Sequence, residues 1–473
     1  MKTRKLLFRI LLPVLVVTIG LLIVRWRKYD STDGAHSMAE GEQQFLNGSY
    51  RNEEQAGVPY YVYQVLPAMF PELFPTGLND EFGFVRAPGR ELPLGLVKTK
   101  YDGIDWITHN CSLCHVASFR PSPDAAPIIV LGAPAGYWRE KYLNALEAAF
   151  LHYKFTPYNI VAAIKARQTL SPGEEETYRK WVRYLRVRTV QQLHELGGKQ
   201  VNRPWDGPGR MDALLLAKEM AFQVDYDIGT TDYAPVWNRR ARIDSMGRMI
   251  GHWDGFGQNL LGMVTASMLA DGVRPADFQM NQAKTLTYYF ANLSAPAYPL
   301  AIDRSLVPRG KVVFEARCAE CHGSAGARLN TVVSIHEIKT DPNRLDAARP
   351  LLLWALNLFD FFQRYPAPRW RKTKGYRAEL LDGLWARAPY LHNGSVPTVY
   401  DLLSRAEQRP LTFFRGSNVI DPAKLGIETI AVPGGPAFLF DASLSGNRNI
   451  GHEYGADLPE ADKKALIDFL KTL

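Results

Sequence analysis

Two short stretches constrain this chain more than anything else in it. "HNCSLCHVASFR" starts at His109 and "RCAECHGSAG" at Arg317, and together they use every cysteine of the 473 residues, as Cys111, Cys114, Cys318 and Cys321. Each pair is followed directly by a histidine, His115 and His322. C-x-x-C-H is the spacing that covalent attachment of a c-type haem requires: thiols one helical turn apart reach the two vinyl groups, and the next imidazole comes under the iron. A redox disulfide or half a zinc site also uses C-x-x-C. A zinc ribbon, however, wants its pairs about 15–20 residues apart, and these are about 200 apart. A disulfide between the pairs, open to a chain in an oxidising compartment, leaves both histidines unexplained. Two motifs imply two covalently bound haem c groups, with His115 and His322 as proximal ligands.

The first thirty residues, "MKTRKLLFRILLPVLVVTIGLLIVRWRKYD", place Lys2, Arg4 and Lys5 before an apolar run from Ile10 to Val24, then Arg25, Arg27 and Lys28. No small-residue cleavage site follows the run, which predicts an uncleaved anchor helix over 1–30. Basic residues at both ends leave its orientation open. Bacterial c-type maturation takes place on the periplasmic side, so the expected location is periplasmic, with the inner membrane as a partner through this helix. The formal charge of +8 suits an acidic redox partner or anionic lipid and equally an ordinary solvated surface; no nucleic-acid motif accompanies it.

Behind the anchor, residues 31–100 are rich in Pro, Gly and aromatic residues and predict irregular chain wrapped over the first haem. Tyr142, Leu143, Leu146, Ala149 and Phe150 recur at helical spacing, as does the stretch from Glu174 onward, and an apolar helix is expected around Leu260 to Leu269. "LSAPAYPLAIDRSLVPRG" reads as a linker, followed by a helix with Gly310 and Phe314 running into the second motif, and Leu466, Phe469, Leu470 and Leu473 form one stripe near the end. The expected fold is mainly α: two c-type cytochrome domains with long irregular loops, over 31–293 and 294–473.

"APVWNRRARIDSMGRMIGHWDG" at 234–255, "GLWARAPYLHNGSVPTVYDLL" at 383–403 and "IGHEYGADLPEADKKALIDFLKTL" at 450–473 resemble the bacterial di-haem cytochrome c peroxidase superfamily. "VPYYVYQVLPAMFP" and "FGFVRAPGRELPLG" are similar to its branch of rubber oxygenase and di-haem oleate dioxygenases. The resemblance implies that 234–255 lies over the first haem, making His252 and Trp253 catalytic candidates; the alternative is that Trp253 packs and His252 holds a loop or a propionate. Met246, Met249, Met263 and Met268 are further candidates to close that site. The peroxidases' distal glutamate has no counterpart in "FGQNLLGMVTASMLADG", where no acid precedes Asp271, so Asp254 is the nearest substitute. For the second haem the resemblance points to His452 as sixth ligand, with His392 and His336 as rivals, and puts Arg387, Tyr390 and His392 around its edge.

The function these readings imply is a periplasmic di-haem oxidoreductase activating O2 or peroxide at the first haem, with the second as electron relay. Its partners would be an apolar organic substrate or peroxide and a small redox protein. The alternatives are a di-haem peroxidase reducing hydrogen peroxide and a membrane-tethered electron carrier, the latter disfavoured because the chain spends far more residues per haem than a carrier needs.

Overall fold

The chain enters the first cysteine pair from a β-hairpin. Leu96–Tyr101 pairs antiparallel with Ile104–His109, and the two turn residues, Asp102 and Gly103, sit at φ 48° and 79°, the left-handed geometry whose twist matches that of the strands it joins. Val58–Pro59 adds a third strand beside Ile107 and Trp106. This is a computed structural model, and it describes residues 36–78, 80–195, 204–215, 218, 227–244, 248–362, 365–366, 368–431 and 435–473.

Around the hairpin sit the helices that the apolar spacing predicts. Arg139–Leu151 buries Tyr142, Leu146, Ala149 and Phe150, and Pro172–Glu195 and Pro157–Lys165 pack with it into one core. Residues 31–100 are more regular than expected. Met38–Asn47 and Tyr60–Met69 are helices, the second burying Val62, Tyr63, Val65 and Leu66 despite an internal Pro67.

Further on, Val307–Arg317 runs into the one-turn helix Ala319–His322 and crosses Glu460–Leu470. The crossing is tight: a Cβ at Gly310 would lie 2.0 Å from the Ala465 carbonyl oxygen, so only glycine fits. A second core joins Ala117, Phe119, Val130 and Trp237 to Phe314, Leu384, Trp385 and Leu466, and thus draws on chain from both sides of residue 293. Met38–Leu473 form one compact unit.

The mainly-α expectation is corrected. Among the described residues, thirteen short strands, paired antiparallel in six small sheets, accompany the helices, so the class is mixed. Most of these strands span only two to four residues, too few alternations to register as a period-two pattern. Among the described residues no helix is long and apolar enough to cross a membrane; the anchor expected at 1–30 lies outside them.

Candidate functional site

The second motif is built on both sides of its histidine. The turn Ala319–His322 closes with the His322 amide on the Cys318 carbonyl at 2.9 Å, which presents Cys318 and Cys321 along one edge. His322 Nδ1 lies 2.6 Å from the Glu379 carbonyl oxygen. A carbonyl only accepts, so Nδ1 carries the proton and Nε2 is bare, the tautomer a metal ligand needs. Burial lowers the His322 pKa, opposed by that backbone bond. Opposite stands His452, its ring centre 6.2 Å from that of His322. A metal bonded to both imidazoles at about 2 Å each would separate the ring centres by roughly 6 Å.

The backbone under His452 is left-handed, φ 52°, a conformation retained only where its surroundings impose it. Arg409 imposes it in part, donating to the carbonyls of Asn449 and Gly451, the latter at 2.8 Å. Gly451 completes the fit, because a Cβ there would meet the Ile338 carbonyl oxygen at 2.4 Å. The rival histidines are elsewhere engaged or placed. His392 is buried with Nε2 2.9 Å from the Tyr376 hydroxyl and its ring stacked on that residue, and His336 is exposed. A cleft of about 600 Å³ opens beside His322, lined by Phe314, Ala319, Leu381 and Phe469 among others, within the ~300–1,000 Å³ usual for small-molecule and cofactor sites.

The first motif is held in place by the chain around it, and among the described residues no imidazole faces its histidine. Asn110 is buried and its Oδ1 accepts from the Ser112 amide and hydroxyl at 3.1 and 2.7 Å, locking the turn Ser112–His115. Gly95 packs so closely that a Cβ would lie 2.2 Å from Leu113 Cα. His115 Nδ1 is buried and makes no well-aligned hydrogen bond, although the Ala234 backbone lies close enough to act on it. Burial, with Arg239 adding to it, brings its pKa down to about 4. Among the described residues its aromatic neighbour is Tyr233, not a second imidazole. All four cysteines are free thiols. Burial pushes Cys111 and Cys114 up to about 12 and Cys318 to about 11.

His252 and Trp253 do different things. His252 Nε2 is buried without a partner, its backbone is left-handed at φ 58°, and its ring stacks on Trp370 at 5.5 Å. Burial brings its pKa down to about 4. Trp253 spends its indole N–H on the Asp232 carbonyl at 2.8 Å. Asp254 is not free to serve as the missing acid: its Oδ2 pairs with Arg344 Nε at 2.7 Å and its Oδ1 accepts from the Phe256 amide. Helix Leu260–Ala270 presents Val264 and Met268 to the core beside Cys111 and Val116, Met263 sulfur packs on Gly251 and Gly257, and Met249 is buried. Met246 lies outside the described residues.

Between the motifs lies a cluster that the residue spacings do not announce. Arg242, Arg377 and Arg387 surround the buried Glu379, and Asp382 accepts from Arg242 and Arg387 at 2.7 and 2.6 Å. Arg239 is buried close by and depresses the pKa of both His115 and His252. Burial alone would raise the Glu379 pKa; Arg377, Arg242, Arg387 and Arg239 outweigh it and hold the carboxyl well below its usual range. Four guanidinium groups face two carboxylates, and Arg242, Arg377 and Arg387 each keep a buried Nε without a partner. Buried charge of this kind calls for further anions, and the two propionates of a haem are such anions. Opposed imidazoles, paired free thiols and unmatched guanidinium groups all fit haem c.

A family described as RoxA-like, cytochrome c-like matches residues 375–414, the stretch that supplies Arg377, Glu379 and Arg387. Two Sinorhizobium fredii proteins, y4iJ and y4iM, both described as uncharacterized, are similar to the chain. The first is 24% identical over 85% of each chain. The second is 30% identical over 47% of this chain and 57% of its own length. The cytochrome c-like match implies covalently bound haem c and suggests a haem-containing oxidoreductase or electron-transfer role.

Proposed function

We propose that the chain is a di-haem c-type oxidoreductase with unequal centres: one on Cys111, Cys114 and His115 that activates O2 or peroxide, and one on Cys318, Cys321, His322 and His452 that relays electrons. The observation that carries this reading is the asymmetry in front of the two proximal histidines. His452 faces His322 across 6.2 Å, whereas no described imidazole faces His115. The site of attachment in bacteria favours a periplasmic location, with electrons arriving from a small redox protein.

When bound, haem would supply redox-active iron able to take up electrons and to bind a reactant. The chain's own residues set the terms. His322, fixed by the Glu379 carbonyl and opposed by His452, would keep its centre closed to exogenous ligands. The arginines about Glu379 would hold the propionates and lower the energy of negative charge between the centres. Val264 and Met268, with no carboxylate in their helix, would keep the first centre's surroundings apolar and suited to an apolar organic substrate. If, as the resemblance implies, 234–255 lies over the first haem, His252, with its Nε2 buried and unpartnered, would be the group to accept a proton there; its low pKa keeps it neutral at pH 7.

The test is the EPR and optical spectrum of the oxidised, matured protein. One low-spin centre with two histidine ligands and one high-spin or weakly ligated centre is the expected result. Two low-spin centres would give the molecule to electron carriage. His252 also favours a second reading, peroxide reduction, because it could replace the absent glutamate. Rapid mixing with hydrogen peroxide separates the two: fast turnover with a reduced donor cytochrome, lost by about 10²–10⁴ in His252→Leu, would favour the peroxidase.

A further inference from the structure

Helix Pro350–Phe362 turns an apolar face to the outside. Leu352 and Leu353 are buried in a small core with Phe256, Leu345 and Tyr376, while Leu351 and Trp354 are each 60% exposed and Leu358 is 40% exposed. At 100° per residue those three share one stripe opposite the buried pair. Beside the stripe runs "RWRKTK", Arg369 to Lys374, tied to the helix at both polar atoms of one side chain: Asn357 Oδ1 accepts from the Trp370 amide at 2.9 Å, and Asn357 Nδ2 donates to the Trp370 carbonyl at 2.7 Å. Arg369 and Lys374 are exposed, whereas Lys372 turns its Nζ inward to the Leu345 carbonyl. An apolar stripe fixed next to a row of cations is the composition of a helix that lies in a membrane interface.

We propose that this face docks on an anionic lipid surface, with Leu351, Trp354 and Leu358 entering the acyl boundary and Arg369 and Lys374 meeting the headgroups. A second copy of the chain is a poorer occupant, because a two-fold contact sets the same surface against itself and would bring like charges together. The tie to the helix continues inward. Trp370 stacks on His252, and Trp253 packs against the core beneath the helix. On the reading of His252 as the distal residue, the docking face overlies the wall of the reactive site, and an apolar substrate dissolved in lipid meets the chain there.

The experiment is hydroxyl-radical footprinting of the full chain with vesicles of phosphatidylcholine alone or mixed with phosphatidylglycerol. Oxidation of Leu351, Trp354 and Leu358 should fall several-fold with the anionic vesicles, while Tyr153 and Tyr158, each 74% exposed, stay unchanged. Arg369→Gln and Lys374→Gln should each weaken binding to the anionic vesicles about fivefold. Failure to bind, a vesicle-bound chain whose Trp354 oxidises as in solution, or equal protection by neutral vesicles would overturn the proposal. Protection that rises with protein concentration in the absence of lipid would also overturn it, in favour of a second copy. Neither readout depends on haem content or turnover, so failure of the docking and failure of the oxidoreductase reading are seen separately.

Discussion

The two C-x-x-C-H turns share a spacing and differ in what surrounds the imidazole. Behind His322 a carbonyl fixes the tautomer, and in front of it His452 stands in a backbone conformation that Arg409 and Gly451 enforce. Behind His115 the Ala234 backbone makes no well-aligned bond to Nδ1, and in front of it no described imidazole stands. Identical attachment chemistry is therefore compatible with opposite reactivity. Attachment is a matter of five residues, whereas on the proposed reading reactivity would be set by side chains as distant in sequence as His452 is from His322. A rigid, doubly held centre changes little on gaining an electron, and an open one leaves room for a reactant.

The largest effect that can break this comparison is loss of one centre at a time. Cys111→Ala with Cys114→Ala should remove one haem mass from the intact protein and leave a low-spin spectrum, and Cys318→Ala with Cys321→Ala should remove one haem mass and leave the weakly ligated centre. If both double variants leave the same spectrum, the centres are alike. Next in size, His452→Ala should convert the second centre from low-spin to high-spin without loss of haem mass, because attachment rests on Cys318 and Cys321; an unaltered EPR signal would remove His452 from the ligand set.

A smaller effect is expected between the centres. Glu379→Gln leaves the arginines with less counter-charge while keeping the backbone carbonyl that receives His322. It should lower stability by about 3–5 kcal/mol, read by denaturant unfolding, with the low-spin signal retained. The smallest is Trp253→Phe, which keeps an aromatic ring and loses the bond to the Asp232 carbonyl, for about 1–3 kcal/mol. A loss of turnover exceeding that loss of stability would return Trp253 to the catalytic candidates.

What could be read in advance follows from how local each signal is. The cysteine pairs and their histidines are contiguous, and helices such as Arg139–Leu151 repeat a spacing over several turns, so both are legible without a structure. Tyr60–Met69 was hidden by Pro67 and by aromatic residues that suit strands as well as helices. The hairpin around Asp102–Gly103 carries a strong turn signal, yet its first strand begins within the stretch read as irregular chain. The Glu379 cluster is legible only at one member: the resemblance puts Arg387 at the second haem's edge, but Arg239, Arg242 and Arg377 come from two separate segments, and nothing in either marks their charges as buried. Asp254 shows the reverse error, a carboxylate near the expected site that Arg344 already holds.

The placement of His452 also sets an order of events. It follows Cys321 by 131 residues, and chains emerge and fold from the amino terminus. On the proposed ligation, a nascent chain can receive its second haem long before the loop of Asn449 to His452 exists to cap it. During that interval both irons stand equally exposed. The same last residues supply both His452 and the helix Glu460–Leu470 that packs on Val307–Arg317, so on the proposed reading a chain truncated before Gly451 would lose the cap and the packing of its second centre together.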